Sequence, residues 1–155
     1  MGMNVKYEGS FLIARIHQTS GRIFETILRK YDLSEISPAQ GRVLFALWKD
    51  DNVPIQELVR RTSLSKSTLT VMLDRLEEQG FIARIPSERD RREILIRLTR
   101  KDQSLQDTYA RVSGEMADII LSGFAEHEIR DLEEKLRRIL KNLSDHEEQF
   151  RRAAP

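Results

Sequence analysis

The sequence predicts a mainly α-helical protein with a small β-wing: a winged helix-turn-helix flanked by N- and C-terminal dimerisation helices. Three observations predict it. Charged residues make up 33% of the 155-residue chain and aromatics 6%, which suits helices with solvated faces better than a β-sandwich. Apolar residues recur at spacings of three and four over most of the length, the period of one helical face. The exception is Phe81 to Leu98, where two short apolar, β-branched runs directly follow a pair of short helices. The order helix, helix, β-ribbon is far more specific than any one of its pieces.

The elements follow in order. From about Ser10 to Tyr31, Leu12, Ile16, Ile23, Phe24, Ile27, Leu28 and Tyr31 mark one helical face. Ser37 is placed to cap the next helix, with Pro38 at its first position, where the missing N–H costs nothing. That helix carries Val43, Leu44, Leu47 and Trp48 inward and ends in "KDDN". Pro54 opens a short helix with Ile55, Leu58 and Val59 inward, and a break around "TSLS" leads to "KSTLTVMLDRLEEQG". Leu69, Met72, Leu73 and Leu76 form the buried stripe of that second helix, and Gly80 ends it as a left-handed cap. Two such helices joined by so short a turn read as a helix-turn-helix. Phe81 to Pro86 and Glu93 to Leu98 then form the ribbon, joined by the polar turn "SERDRR". Thr99 and Asp102 make a capping pattern for a helix with Leu105, Tyr109, Val112, Met116 and Ile119 on one side. The last segment spaces Ile129, Leu132, Leu136, Ile139 and Leu143 like a heptad seam. Such apolar stripes on terminal helices point to pairing with a second chain.

Several function classes fall away. The chain has no cysteine, which removes disulfides, thiol catalysis and sulfur-based zinc sites. No apolar run approaches the roughly 18 residues of a membrane span, and the first residues lack the apolar core of a signal peptide. A cytoplasmic protein without membrane association is the expectation. No phosphate-cradling glycine loop, nucleophile elbow or paired Ser and His points to an enzyme, and no cofactor is expected. His17, His127 and His146 are too scattered for a metal site, so none is assigned.

The net charge is +1, but it is unevenly spread: Arg60 to Lys101 holds eleven Lys and Arg against six Asp and Glu, whereas Asp102 to Ala125 holds one against four. A basic middle is the footprint of a polyanion partner, here double-stranded DNA. A winged helix offers a helix to the major groove and a ribbon tip to the narrow, electronegative minor groove. On the tip, Arg89, Arg91 and Arg92 suit phosphate or minor-groove contact, and Asp90 is expected to pair with a neighbouring Arg and fix its direction. On the second helix of the motif, Ser67, Thr70, Val71 and Asp74 lie opposite the buried stripe and face the groove. Ser65, Lys66 and Thr68 at the helix start flank them near phosphates. Ser67 and Thr70 are of a type that bonds base edges, and Val71 of a type that touches a thymine methyl.

From Leu33 to Thr99 the chain resembles the multiple-antibiotic-resistance regulator (MarR) family of winged-helix transcription factors. The residues that carry the likeness are "LSKSTLTVMLDRLEEQGFI" followed by "RDRREILIRLT", close to that family's D-x-R wing signature ending in L-T. The resemblance implies that Arg92 enters the minor groove and that Asp90 orients it. It also implies a homodimer with interlocked terminal helices on a palindromic operator, a repressor of transcription, and release by a small phenolic or aromatic effector. For such an effector His17, Trp48 and Tyr109 are the candidate pocket residues. At Val71 relatives often carry Arg, so a softer, more shape-dependent readout is expected here. The expected organisation is an N-terminal dimerisation helix over 1–36, a DNA-binding domain over 37–99 and C-terminal dimerisation helices over 100–155. The competing reading is a winged-helix protein–protein interaction module whose basic wing docks an acidic partner.

Overall fold

Local chemistry at the ends of each segment sets where the elements start and stop. The structure, a computed structural model, describes residues 7–153, apart from the side chains of 102–104. Helix α1 runs Gly9–Lys30 and buries only its C-terminal part, Ile27 and Leu28. Helix α2, Pro38–Lys49, opens on a full capping box. The Ser37 hydroxyl accepts from the Gln40 N–H at 3.2 Å, and the Gln40 side-chain oxygen accepts from the Ser37 N–H at 2.9 Å, which satisfies two N–H groups no helical carbonyl can reach.

A short strand missed in the sequence follows: β1, Val53–Pro54. Pro54 is thus both the end of a strand and the residue before helix α3, Ile55–Thr62. Ser63 turns the chain with a φ of 55°, and α4, Lys66–Glu78, starts after it. Gly80 has a φ of 80°. The Gly80 N–H bonds the Glu77 carbonyl and the Phe81 N–H bonds the Leu76 carbonyl, each at 2.9 Å, a Schellman closure that only a left-handed residue completes without strain.

The ribbon consists of β2, Ile82–Pro86, and β3, Ile94–Leu98. The sheet has three antiparallel strands, not the expected two, in the order β1-β3-β2. Ile96 pairs with Val53 on one side and Arg84 on the other and is fully buried, so the wing is rooted in the core at that residue. Helix α5 runs Asp102–Ile120 and buries Leu105, Tyr109, Val112 and Met116 as their spacing predicts, whereas Ile119, expected on the same side, is exposed. The expected Thr99–Asp102 capping pair falls partly outside the description, since the Asp102 side chain is not covered. The Thr99 hydroxyl donates instead to the Gly80 carbonyl at 2.5 Å, tying the end of β3 to the cap of α4.

The chain divides into two units, Met1–Met116 and Ala117–Pro155. The first holds one core, built from Leu28, Val43, Leu44, Leu47, Leu58, Leu69, Leu73, Leu76, Ile96 and Val112 among others. The second holds the end of α5 and helix α6, Glu126–Ala153, in which no residue is buried. Along α6, ion pairs one turn apart join Glu126–Arg130, Asp131–Lys135, Glu133–Arg137, Lys141–Asp145 and Glu148–Arg152, the spacing at which helix side chains meet. Leu136, Ile139, Leu140 and Leu143 stand exposed on the same helix. No helix among the described residues is long and apolar enough to cross a membrane.

Candidate nucleic-acid interface

Helix α4 sorts its residues cleanly. Leu69, Leu73 and Leu76 are buried against the core, and Ser65, Lys66, Ser67, Thr68, Thr70, Val71 and Asp74 are all exposed, as their positions on the helix predict. Its start is a knot of hydroxyls. Ser65 Oγ accepts from the Thr68 N–H at 3.2 Å, donates to Thr68 Oγ1 at 2.8 Å and lies 3.2 Å from Ser67 Oγ. Ser65 is therefore the cap of the helix. Thr70 Oγ1 donates to the Lys66 carbonyl at 2.8 Å, so its proton is used and its lone pairs face outward. That leaves it suited to accept from an exocyclic amine of adenine or cytosine rather than to donate. Val71 is 47% exposed, an apolar side chain held out among polar ones.

Arg75 is not among the residues expected from the sequence. It lies one turn beyond Val71, exposed, and makes no ion pair among the described residues. The signal for it was the same wheel geometry that selected Val71, carried one turn further. Asp74, by contrast, is engaged: Arg84 of β2 holds its Oδ1 at 2.6 Å and also pairs with Glu77. The backbone N–H of Arg84 donates to Glu77 Oε1 at 3.1 Å. Burial works against the charge on Arg84, and the bonds to Asp74 and Glu77 outweigh it, leaving its pKa raised.

The wing turn is organised by two side chains. Ser87 is buried; its N–H donates to the Glu93 carbonyl at 2.9 Å and its hydroxyl accepts from the Arg89 N–H at 3.3 Å. Asp90 Oδ1 accepts from the backbone N–H of Arg92 at 3.0 Å. This corrects the expected pairing. Among the described residues no ion pair joins Asp90 to Arg89, Arg91 or Arg92; the carboxylate fixes the backbone of Arg92 instead of its guanidinium. The three arginines are exposed.

The candidate pocket is not assembled. Tyr109 is 4% exposed, its ring 5.1 Å from Trp48 and 5.7 Å from Phe24 in edge-on contacts. These rings fill core space rather than line a vacancy. His17 stands exposed on α1, seven residues, or about 10 Å of helix, before Phe24. No cluster of three metal-ligating side chains is found among the described residues.

The MarR family model matches residues 36–94, the span from the capping box of α2 to the first residue of β3. The transcriptional regulator MgrA of Staphylococcus aureus is 26% identical over 138 residues, covering 88% of this chain and 90% of its own. Two solved structures extend the likeness to DNA complexes. FabT of Streptococcus pneumoniae in complex with DNA has a TM-score of 0.70 at 26% identity, covering 88% of this chain and 95% of that one. A mutant MarR from E. coli complexed with operator DNA has a TM-score of 0.74 at 26% identity, covering 84% and 92%.

Proposed function

We propose that this chain, a MarR-family winged-helix transcription regulator that binds DNA, acts as a homodimer on a palindromic operator and represses the adjacent promoter. Each protomer lays α4 in a major groove and the Ser87–Glu93 turn against the neighbouring minor groove. Ser67, Thr70 and Val71 meet base edges. Lys66, Thr68 and Arg75 meet phosphates, and Arg92 probes the minor groove with Arg89 and Arg91 beside it. Residues 37–99 are the DNA-binding part, and 1–36 and 100–155 join the two copies. The reading includes release from DNA by a small aromatic compound, through residues other than the packed Trp48 and Tyr109.

The observation that carries this reading is the joint exposure of Ser67, Thr70 and Val71 on one face of α4 together with three arginines at the wing tip. An apolar side chain kept in solvent beside hydroxyls, next to exposed guanidinium groups, suits a duplex: base edges and methyl groups in one groove, phosphates and a narrow groove alongside.

Selection of bound duplexes from a random pool tests it. Enrichment of two symmetric half-sites about 34 Å apart is expected, with affinity falling by orders of magnitude over a few-fold rise in salt. Repeating the selection with phenolic compounds tests release. A pool that never enriches, with binding indifferent to salt, would leave a protein-docking module as the better account.

A further inference from the structure

We propose that Arg84 is a positioning and charge-masking residue of the DNA-binding face: it neutralises Asp74 and Glu77, which α4 would otherwise present bare to the phosphates, and locks the wing to α4 in doing so. The inference rests on the DNA-binding reading above and adds to it a residue that touches no DNA.

The geometry assigns both roles. Asp74 lies one turn beyond Thr70 and Val71 on the outward side of α4, and Glu77 lies almost one turn further. Two carboxylates at the end of a groove-facing helix repel a polyanion, and at the C-terminal half of a helix the macrodipole adds to the unfavourable sign. Arg84 reaches both from the first strand of the wing, at 2.6 Å from Asp74 and in direct contact with Glu77. The Arg84 side chain is three-quarters buried there, so its fork is held in place rather than swinging in solvent. Glu77 also takes the Arg84 backbone N–H, which fixes the strand itself and not only the side chain. Arg84 pairs across the sheet with Ile96, the residue through which the wing is rooted. Helix and wing are thus set at one angle by one guanidinium, and the groove spacing they must span is built in before DNA arrives.

The experiment compares four full-length proteins by duplex affinity at low salt, each with its melting temperature. In Arg84→Met the carboxylates are unmasked, and affinity falls roughly tenfold, an effect that fades as salt screens it. In Arg84→Met/Asp74→Asn/Glu77→Gln the charges are gone, and affinity returns to within about threefold of the parent. Asp74→Asn/Glu77→Gln keeps oxygen acceptors for Arg84 but leaves its charge unopposed, and binds more tightly than the parent. A purely structural clamp gives the opposite pattern: the triple variant stays as weak as Arg84→Met, and the double variant weakens. That pattern, or an Arg84→Met protein of parental affinity, overturns the proposal. Should Arg84→Met fail to fold, the double variant alone decides, by tightening or weakening. A parent protein that binds no duplex at all is a separate outcome and sinks the DNA-binding reading itself.

Discussion

The phenol of Tyr109 on α5 lies against the backbone of Gly41 on α2, so close that a β-carbon on residue 41 would fall 1.7 Å from the hydroxyl oxygen and 2.4 Å from Cζ. Glycine inside a helix ordinarily costs about 1 kcal/mol relative to alanine. Here close approach of two helices in the core decides the residue, and propensity gives way.

Gly41→Ala is therefore expected to destabilise the protein by about 1–3 kcal/mol in denaturant melts, despite its better helix propensity. The clash has one cause, so Tyr109→Leu in the same chain removes most of the added cost. A double-mutant cycle measures the coupling. Additive losses in the two single variants would mean the contact is not what selects glycine.

Acid stability carries a second prediction. Arg60 and then Arg61 hydrogen-bond the Glu57 carboxylate, and together they lower its pKa from 4.5 to about 2. A carboxylate with a depressed folded-state pKa adds stability that is complete above its unfolded value and is lost as pH falls through the folded one. The contribution of Glu57 should fade between about pH 4.5 and pH 2. The slope of the unfolding midpoint against pH in that window should be shallower in Glu57→Gln. Glu57 is half-buried and its partner Arg60 is exposed, so 1 M salt should bring the two slopes closer together.

These two contacts also mark what the sequence could and could not tell. The helices and the ribbon were legible because period and caps are local: Ser37 with Gln40, the Leu69–Leu73–Leu76 stripe and Gly80 each announce themselves within one turn. Strand β1 was not, because two residues ending in proline carry no period and their pairing with Leu95 and Ile96 lies some forty residues away. Tyr109, a candidate pocket residue, packs against Phe24 and Trp48, as its place in the Leu105–Val112–Met116 stripe leads one to expect. At the wing, charge alternation suggested an Asp90–guanidinium pair. The tight turn instead has an unmet N–H at Arg92 within reach of the Asp90 carboxylate, and that short local bond forms. The Arg84 clamp joins residues ten and seven apart across a turn, a distance at which neither period nor motif gives a signal.

On the proposed reading, the wing supplies affinity and α4 supplies specificity. Arg92→Ala should weaken binding to every duplex alike and lower the salt slope by about 1, since it removes one phosphate-region cation. Asp90→Ala should reproduce much of that loss by freeing the Arg92 backbone, whereas Asp90→Asn, which keeps an acceptor for the Arg92 N–H, should not. Thr70→Ala should leave affinity for random DNA intact and change which bases are preferred at one half-site position. Footprinting and salt titration of the four proteins distinguish these outcomes. An Arg92→Ala protein with parental affinity would remove the wing from the mechanism.

The apolar residues left in solvent make the last case. Phe11 on α1 is 62% exposed and Leu143 on α6 is 65% exposed, with Ile16, Leu136 and Leu140 similarly bare. Scattered apolar residues on a surface are ordinary, but rows of them along a helix are the surface the proposed homodimer would bury. The i,i+4 ion pairs on α6 keep that helix charged enough to stay helical without the stripe. Leu136→Glu/Leu143→Glu is therefore expected to give a folded monomer by sedimentation, with unchanged helical content. Its affinity for a two-half-site duplex should fall by about a hundredfold or more, because the second half-site contact is no longer intramolecular. Affinity for a single half-site should hardly change, and that contrast separates lost pairing from a damaged DNA-binding face. A double variant that still sediments as a dimer would place the interface between copies elsewhere.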